Sequence, residues 1–180
     1  SFIHDNIQET LYDINLDRIE NVPGVFAEYT LKPTVNMTIM AGLRADAHNI
    51  FGTFITPRMH FRYKIGEHLT IRANAGKGYR TAHVITENNY LLASYRKLQW
   101  QDNIFQEEAW NYGFSYLQGF NLFGKKADLT LDFYSSRFEN QVVVDVDQSP
   151  QQVLFYNLEG ASFANNFQAQ LNYQIATRTE

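Results

Sequence analysis

The side chains able to do chemistry are scattered along this 180-residue chain rather than gathered. Histidines stand at His4, His48, His60, His68 and His83, and no two have the spacing of a metal pair on one element. Ser94, Ser115, Ser135, Ser136 and Ser162 lack the strand-turn-helix context of a nucleophile. Gly76-Lys77-Gly78 is not a phosphate loop, because no glycine-rich turn into a helix follows. Asp145 and Asp147 are spaced to bind a cation, but a solvated acidic loop is the simpler reading. These residues predict no catalytic set, no metal site and no cofactor. What is left is binding chemistry. Arg44, Arg58, Arg62, Lys64 and Arg72, with Asp46, Asp128 and Asp132, could pair with one another or line the route of a charged solute. Between Arg80 and Gln106 lie Tyr90, Tyr95, Arg96, Lys97 and Trp100, aromatic and basic groups suited to an anionic or ring-bearing ligand. The plainer alternative is a loop packed on its neighbours.

The elements that carry these residues are strands. Val35, Met37, Ile39, Ala41, Leu43, Ala45 and Ala47 alternate with Asn36, Thr38, Gly42, Arg44 and Asp46, and only Met40 intrudes. Ile55 to Ile65 repeats the alternation, with Arg58, His60, Arg62 and Lys64 on the polar parity. So do Leu69 to Gly76, Ala127 to Tyr134 and Phe167 to Ile175. Val25 to Lys32 and Glu108 to Gln118 are less regular, the latter showing Trp110, Tyr112, Phe114 and Tyr116 on one parity. Strand side chains point to opposite faces in turn, so each stretch has one apolar and one polar face. About seven long strands are predicted. Tight turns are expected at Lys32-Pro33-Thr34, at Gly66-Glu67 and between Gly119 and Lys125. Longer connections are expected at Arg80–Gln106, at Asn140–Gln152 and, shorter, at Asp46–Thr53. In strand order the tight turns fall on one edge and the longer loops on the other, with residues 1–21 at the loop edge.

Composition narrows the setting. The net charge is −4, with no basic block, which argues against nucleic acid as a partner. The absence of cysteine removes disulfide scaffolds, thiolate metal sites and cysteine nucleophiles. No apolar run approaches the roughly 18 residues of a membrane helix, and no leader-like segment opens the sequence. Mean hydropathy is −0.37, yet 15% of residues are aromatic. That combination suits a soluble β-sandwich with a heavy core. It equally suits a membrane barrel, whose apolar rows meet lipid, whose charged rows line a wet lumen, and whose aromatics form girdles at the interfaces. Long strands, segregated connections and a heavily charged polar face favour the barrel.

Particular residues then carry a resemblance. Pro57-Arg58-Met59-His60-Phe61-Arg62-Tyr63-Lys64, followed by Leu69 to Ala82 with Gly76-Lys77-Gly78-Tyr79-Arg80, resembles the barrel of TonB-dependent outer-membrane receptors. Those proteins show a Pro-Arg strand, a Tyr-Lys turn and a strand ending in Gly-x-Gly-Phe-Arg-x-Pro. Glu107 to Gly113, Leu131 to Tyr134 with Phe138 to Val142, Tyr156 to Ala161, and Val22 to Tyr29 are similar to further strands of the family, in the same order. The style is that of Bacteroides-like receptors. Tyr79 stands where the family usually has Phe, and Ala82 and Gln106 stand where it often has Pro.

The resemblance implies an all-β fold: an antiparallel up-and-down meander forming part of a transmembrane β-barrel in a Gram-negative outer membrane. Residues 1–180 would be a segment of that barrel, without the plug domain and without closure. It implies a transporter rather than an enzyme. Its partners would be outer-membrane lipid, the TonB complex acting through the plug, and a small nutrient of the siderophore-iron, cobalamin, haem or glycan class. Arg44, Arg58, Arg62, Arg72, Asp128 and Asp132 would face the lumen. His83, Tyr90, Tyr95, Arg96, Lys97 and Trp100 would be loop candidates for ligand. His83 follows the motif after which haem receptors of the family carry a histidine, although the Asn-Pro-Asn-Leu sequence expected beyond it is absent. A passive porin-like channel and a soluble carbohydrate-binding sandwich remain as alternatives. A segment with two open edges is also expected to pair with other copies of itself.

Overall fold

The computed structural model describes residues 1–8, 10–11, 14–15, 17–94, 96–101 and 104–174. In chain order the strands are β1 (Phe2–Ile7), β2 (Thr10–Leu11), β3 (Ile14–Asn15), β4 (Arg18–Thr34), β5 (Met37–His48), β6 (Gly52–Ile65), β7 (Leu69–Arg80), β8 (Lys97–Trp100), β9 (Glu107–Leu122), β10 (Lys125–Glu139), β11 (Val142–Asp145), β12 (Gln152–Asn157) and β13 (Ala161–Tyr173). A helical turn, α1 (Val84–Glu87), and a 3₁₀ turn at Asn89–Ala93 lie between β7 and β8. The main sheet has eight antiparallel strands in the order β1-β4-β5-β6-β7-β9-β10-β13. It is an open meander.

Seven of these are the strands that alternation predicts. The eighth, β1, pairs with the start of β4, from Phe2 opposite Pro23 to Ile7 opposite Arg18. The first tight turn is displaced from its expected place: it lies at Val35 and Asn36, so β4 runs through Pro33 with a register shift between Leu31 and Thr34. The connection expected as a longer loop at Asp46–Thr53 is also shorter. It shrinks to a turn at residues 49–51, because β5 and β6 stay paired up to His48 and Gly52. The β9–β10 hairpin turns on Phe123 and Gly124, with φ of 50° and 75°. Two successive positive φ angles give the turn whose twist matches a two-residue hairpin.

The register fixes the two faces. One row reads Leu31, Ile39, Phe61, Ala73, Phe114, Phe133, Phe167 across successive strands from β4 to β13. Another reads Thr38, Arg62, Arg72, Ser115, Asp132, Gln168 from β5 to β13. Among the described residues the sheet is a single layer, with no element covering the apolar face. Val25, Tyr29, Leu43, Ile55, Met59, Phe114, Phe163, Phe167 and Leu171 are all exposed. A sheet in water would bury such a face against another layer.

The apolar core lies elsewhere, in the loops. Ala82, Val84, Leu91, Val153 and Phe155 form a buried cluster, with Leu98, Trp100, Ile104, Val142, Val144 and Val146 packed on it. Its scaffold is a three-stranded sheet, β11-β12-β8, in which β8 runs parallel to β12.

Residues 1–180 produced alone in detergent-free buffer should elute as oligomers, through the open edges and the uncovered face, and detergent should disperse them. A sharp monomer peak without detergent would contradict this account of the sheet.

Candidate functional site

The polar face concentrates its chemistry toward the loop end. There the sheet curves around a cavity of about 700 Å³. Its lining includes Glu20, Arg44, Asp46, His48, Phe54 and Arg58 from three strands, β4, β5 and β6, with Lys77, Tyr79 and Gln106 beyond them. Arg44 and Asp46 sit two residues apart on one strand and so share a face. The guanidinium grips the carboxylate through two bonds of 2.6 Å, from Nε and Nη2. Arg58 donates to Glu28 two strands away. Gly42 occupies the position between them and leaves that path open, since a Cβ there would stand 2.8 Å from Arg58 Nε and force the side chain to shift. Lys77 pairs with Glu108 on β9.

A buried chain of polar contacts supports the rim. His48 Nδ1 accepts from the amides of Ile50 and Phe51 at 3.1 and 3.4 Å, which leaves Nε2–H to donate to Glu20 at 3.3 Å. The other Glu20 oxygen lies 2.7 Å from Arg18 Nε. Gln106, 8% exposed, donates to Thr81 Oγ1 at 2.6 Å. Glu107 is the keystone between sheet and loops. One oxygen accepts from Arg80 Nε at 2.7 Å and the other from the Val142 amide at 2.9 Å. Glu87 pairs with the same guanidinium at 3.2 Å. Arg80 is therefore a fixed cation at the base of the loops.

Arg44, Arg58, Arg62, Arg72, Asp128 and Asp132 all fall on the polar face. They are not one network. Arg44 and Arg58 are paired, whereas Arg62 and Arg72 stand directly opposite each other with no ion pair among the described residues. Asp132 is bonded to Ser115. The loop candidates separate as well. Trp100 stands edge-on to Phe155 with ring centroids 5.1 Å apart, inside the loop core. Arg96 donates to the Val146 carbonyl at 2.9 Å, tying one loop to the other. Lys97 and Tyr90 are exposed. His83 Nδ1 lies 3.2 Å from Arg18 Nη2, and Tyr95 lies outside the described residues. Among the described residues no group of three His, Asp or Glu could hold a metal.

Glu20, His48, Gln106 and Glu107 escape sequence reading because their partners are far away in the chain. One signal was present, for Glu20 alone: an acid two residues from Arg18 where β4 begins. The loop core also escapes it, since Val153 and Phe155 look like any short apolar run until β8 is placed beside them.

A family model described as TonB dependent receptor-like, beta-barrel, matches residues 5–178. No curated protein matches the sequence. Among solved structures, the ferric enterobactin receptor PfeA of Pseudomonas aeruginosa, as a G324V mutant, superposes with a TM-score of 0.67 at 15% identity, over 91% of this chain and 26% of that one. The siderophore receptor PirA of the same organism gives 0.63 at 15%, over 86% and 31%. A double mutant of the Serratia marcescens hemophore receptor HasR, in complex with its hemophore HasA and heme, gives 0.65 at 14%, over 88% and 32%. The chain thus spans between a quarter and a third of the length of these receptors.

Truncating Phe155 to Ala removes a fully buried ring and should cost the loop layer about 3–5 kcal/mol. Hydrogen exchange should then accelerate in both β8 and β12, with the centre of the main sheet unchanged. A double-mutant cycle between Glu28→Gln and Arg58→Gln should give a coupling of about 0.2–1 kcal/mol. In a Gly42→Val background, where the guanidinium cannot cross β5, the coupling should vanish.

Proposed function

The chain belongs to the TonB-dependent receptor β-barrel family, and from that premise we propose that residues 1–180 form part of the barrel wall of a nutrient receptor in a Gram-negative outer membrane. The observation that carries this reading is the apolar face of the main sheet, which runs across its strands with no layer over it among the described residues, while the opposite face is charged. Lipid supplies the missing layer. The polar face, with Arg44, Arg58, Arg62, Arg72, Asp128 and Asp132, lines the lumen. The loop end is extracellular and receives the cargo.

The polar face divides the work in this reading. Near the loops Arg44, Arg58 and Arg80 are each paired within the wall, which keeps the cavity's rim rigid. Lower down, Arg62 and Arg72 are neighbours of like charge, a costly arrangement unless an anion faces them. A plug domain carrying carboxylates supplies that anion, and through the plug the TonB complex supplies energy. The barrel performs no covalent chemistry.

The cargo is a small scarce nutrient, in the range of siderophore-iron, cobalamin, haem or glycan. The similar receptors favour the iron-bearing end of that range, being a siderophore receptor, a ferric enterobactin receptor and a hemophore receptor by description. His83 is a poor iron ligand here. With Arg18 donating to Nδ1 the ring proton sits on Nε2, the nitrogen that would have to bind the metal.

The test is uptake by cells carrying the whole receptor as their sole route. A ferric catecholate siderophore, haem, cobalamin and an oligosaccharide are offered in turn, with and without TonB. We expect one of them to accumulate and the accumulation to cease without TonB. Uptake that persists without TonB would replace this reading with a passive channel.

A further inference from the structure

The seam between β6 and β7 ends early. β5 remains paired with β6 up to Gly52, and β7 remains paired with β9 up to Arg80. Between them, the β6–β7 pairing stops at Arg58 opposite Gly76. Residues 52–57 and 77–80 therefore splay apart at the loop end.

The cause is one missing donor. Tyr79 Oη donates to the Ile55 carbonyl at 2.8 Å and accepts from the Ile55 amide at 3.1 Å. Both backbone groups of Ile55 therefore point toward β7. Backbone direction repeats every second residue in a strand, so those of Pro57 point the same way. The next hydrogen-bonded pair after Met59 with Ala75 would be Pro57 with Lys77. Proline can accept in that pair but cannot donate. The ladder fails there, and Ile55 is left to find another partner.

We infer that Tyr79 is a positioning residue that latches this seam, its phenol standing in for the backbone pair that Pro57 removes. The latch also shapes the cavity. Phe54, Thr56, Lys77, Gly78 and Tyr79, all from the splayed segments, are among its lining. The Tyr79 ring is braced by Phe54 at a centroid distance of 4.4 Å and by the Lys77 ammonium at 5.2 Å. Phe54 leans in turn on His48. Across this seam the cavity wall is closed by the Tyr79 side chain and its packing on Phe54 instead of a continuous ladder, so Tyr79 sets the gap between the two splayed segments.

The experiment is residue-resolved amide hydrogen exchange on the whole receptor in detergent micelles. Tyr79→Phe keeps the ring and removes only the hydroxyl. We expect exchange at the Ile55 amide to rise about tenfold, the loss of one hydrogen bond, with Phe61 and Tyr63 unchanged. Adding Pro57→Ala restores the missing donor. In the double variant the new amide at position 57 should be protected, and Ile55 should return toward its original rate as the ladder extends past it. An Ile55 rate unaffected by Tyr79→Phe would overturn the latch. So would acceleration spread evenly along β6, which would mean general loosening. A double variant whose position-57 amide exchanges freely would overturn the role given to Pro57.

Discussion

Backbone pairing is what every other property of this sheet depends on. In a strand the side chains alternate strictly, so a shift of one residue between neighbours would carry Phe61 to the charged face and Arg62 to the apolar one. The cost would recur along each strand. The long registers, such as Lys125 to Glu139 of β10 against Leu122 to Glu108 of β9, leave little freedom for such a slip. Proline and glycine then mark where the rule bends. Pro57 stops one ladder, and Gly42 lets a guanidinium pass over another strand.

The two ends of the sheet solve the problem of charge differently. At the loop end, acids and bases are matched within the chain and partly shielded: Arg44 with Asp46, Arg18 and His48 with Glu20, Arg80 with Glu107. The pairs that solvent reaches, Arg44 with Asp46 and Arg80 with Glu107, add little stability. Their effect is to fix side-chain positions around a concave surface. Glu107 does more, because it is 9% exposed and bonds to groups from both β7 and β11. It joins the first loop to the second at the point where both leave the sheet.

Alternation made most of the meander legible, because each strand declares its own two faces within a dozen residues. The family was legible for a related reason: motifs such as Pro57-Arg58 and Gly76-Lys77-Gly78-Tyr79-Arg80 sit at strand starts and ends, where backbone requirements are strict. What stayed hidden depends on pairing between distant segments. β1 shows no clean alternation and is a strand only because β4 extends far enough to receive it. Trp100 reads as a ligand group in a loop and is a packing group once β8 lies beside β12. Tyr79 reads as a small departure from the family's usual Phe, and its hydroxyl is the atom that closes the seam.

The loop layer has one more consequence, and it concerns temperature. Its core, around Val153 and Phe155, is shielded from water in the manner of a small soluble domain. Exposing such a core to water raises heat capacity, so its stability follows a curve that falls off on both warming and cooling. In the lipid setting proposed for it, the broad apolar face of the sheet would trade one apolar neighbour for another and be spared most of that curvature. The chain therefore joins two parts with different calorimetric behaviour, tied together where Glu107 bonds both Arg80 and Val142, and heat or cold would act first on the loop layer.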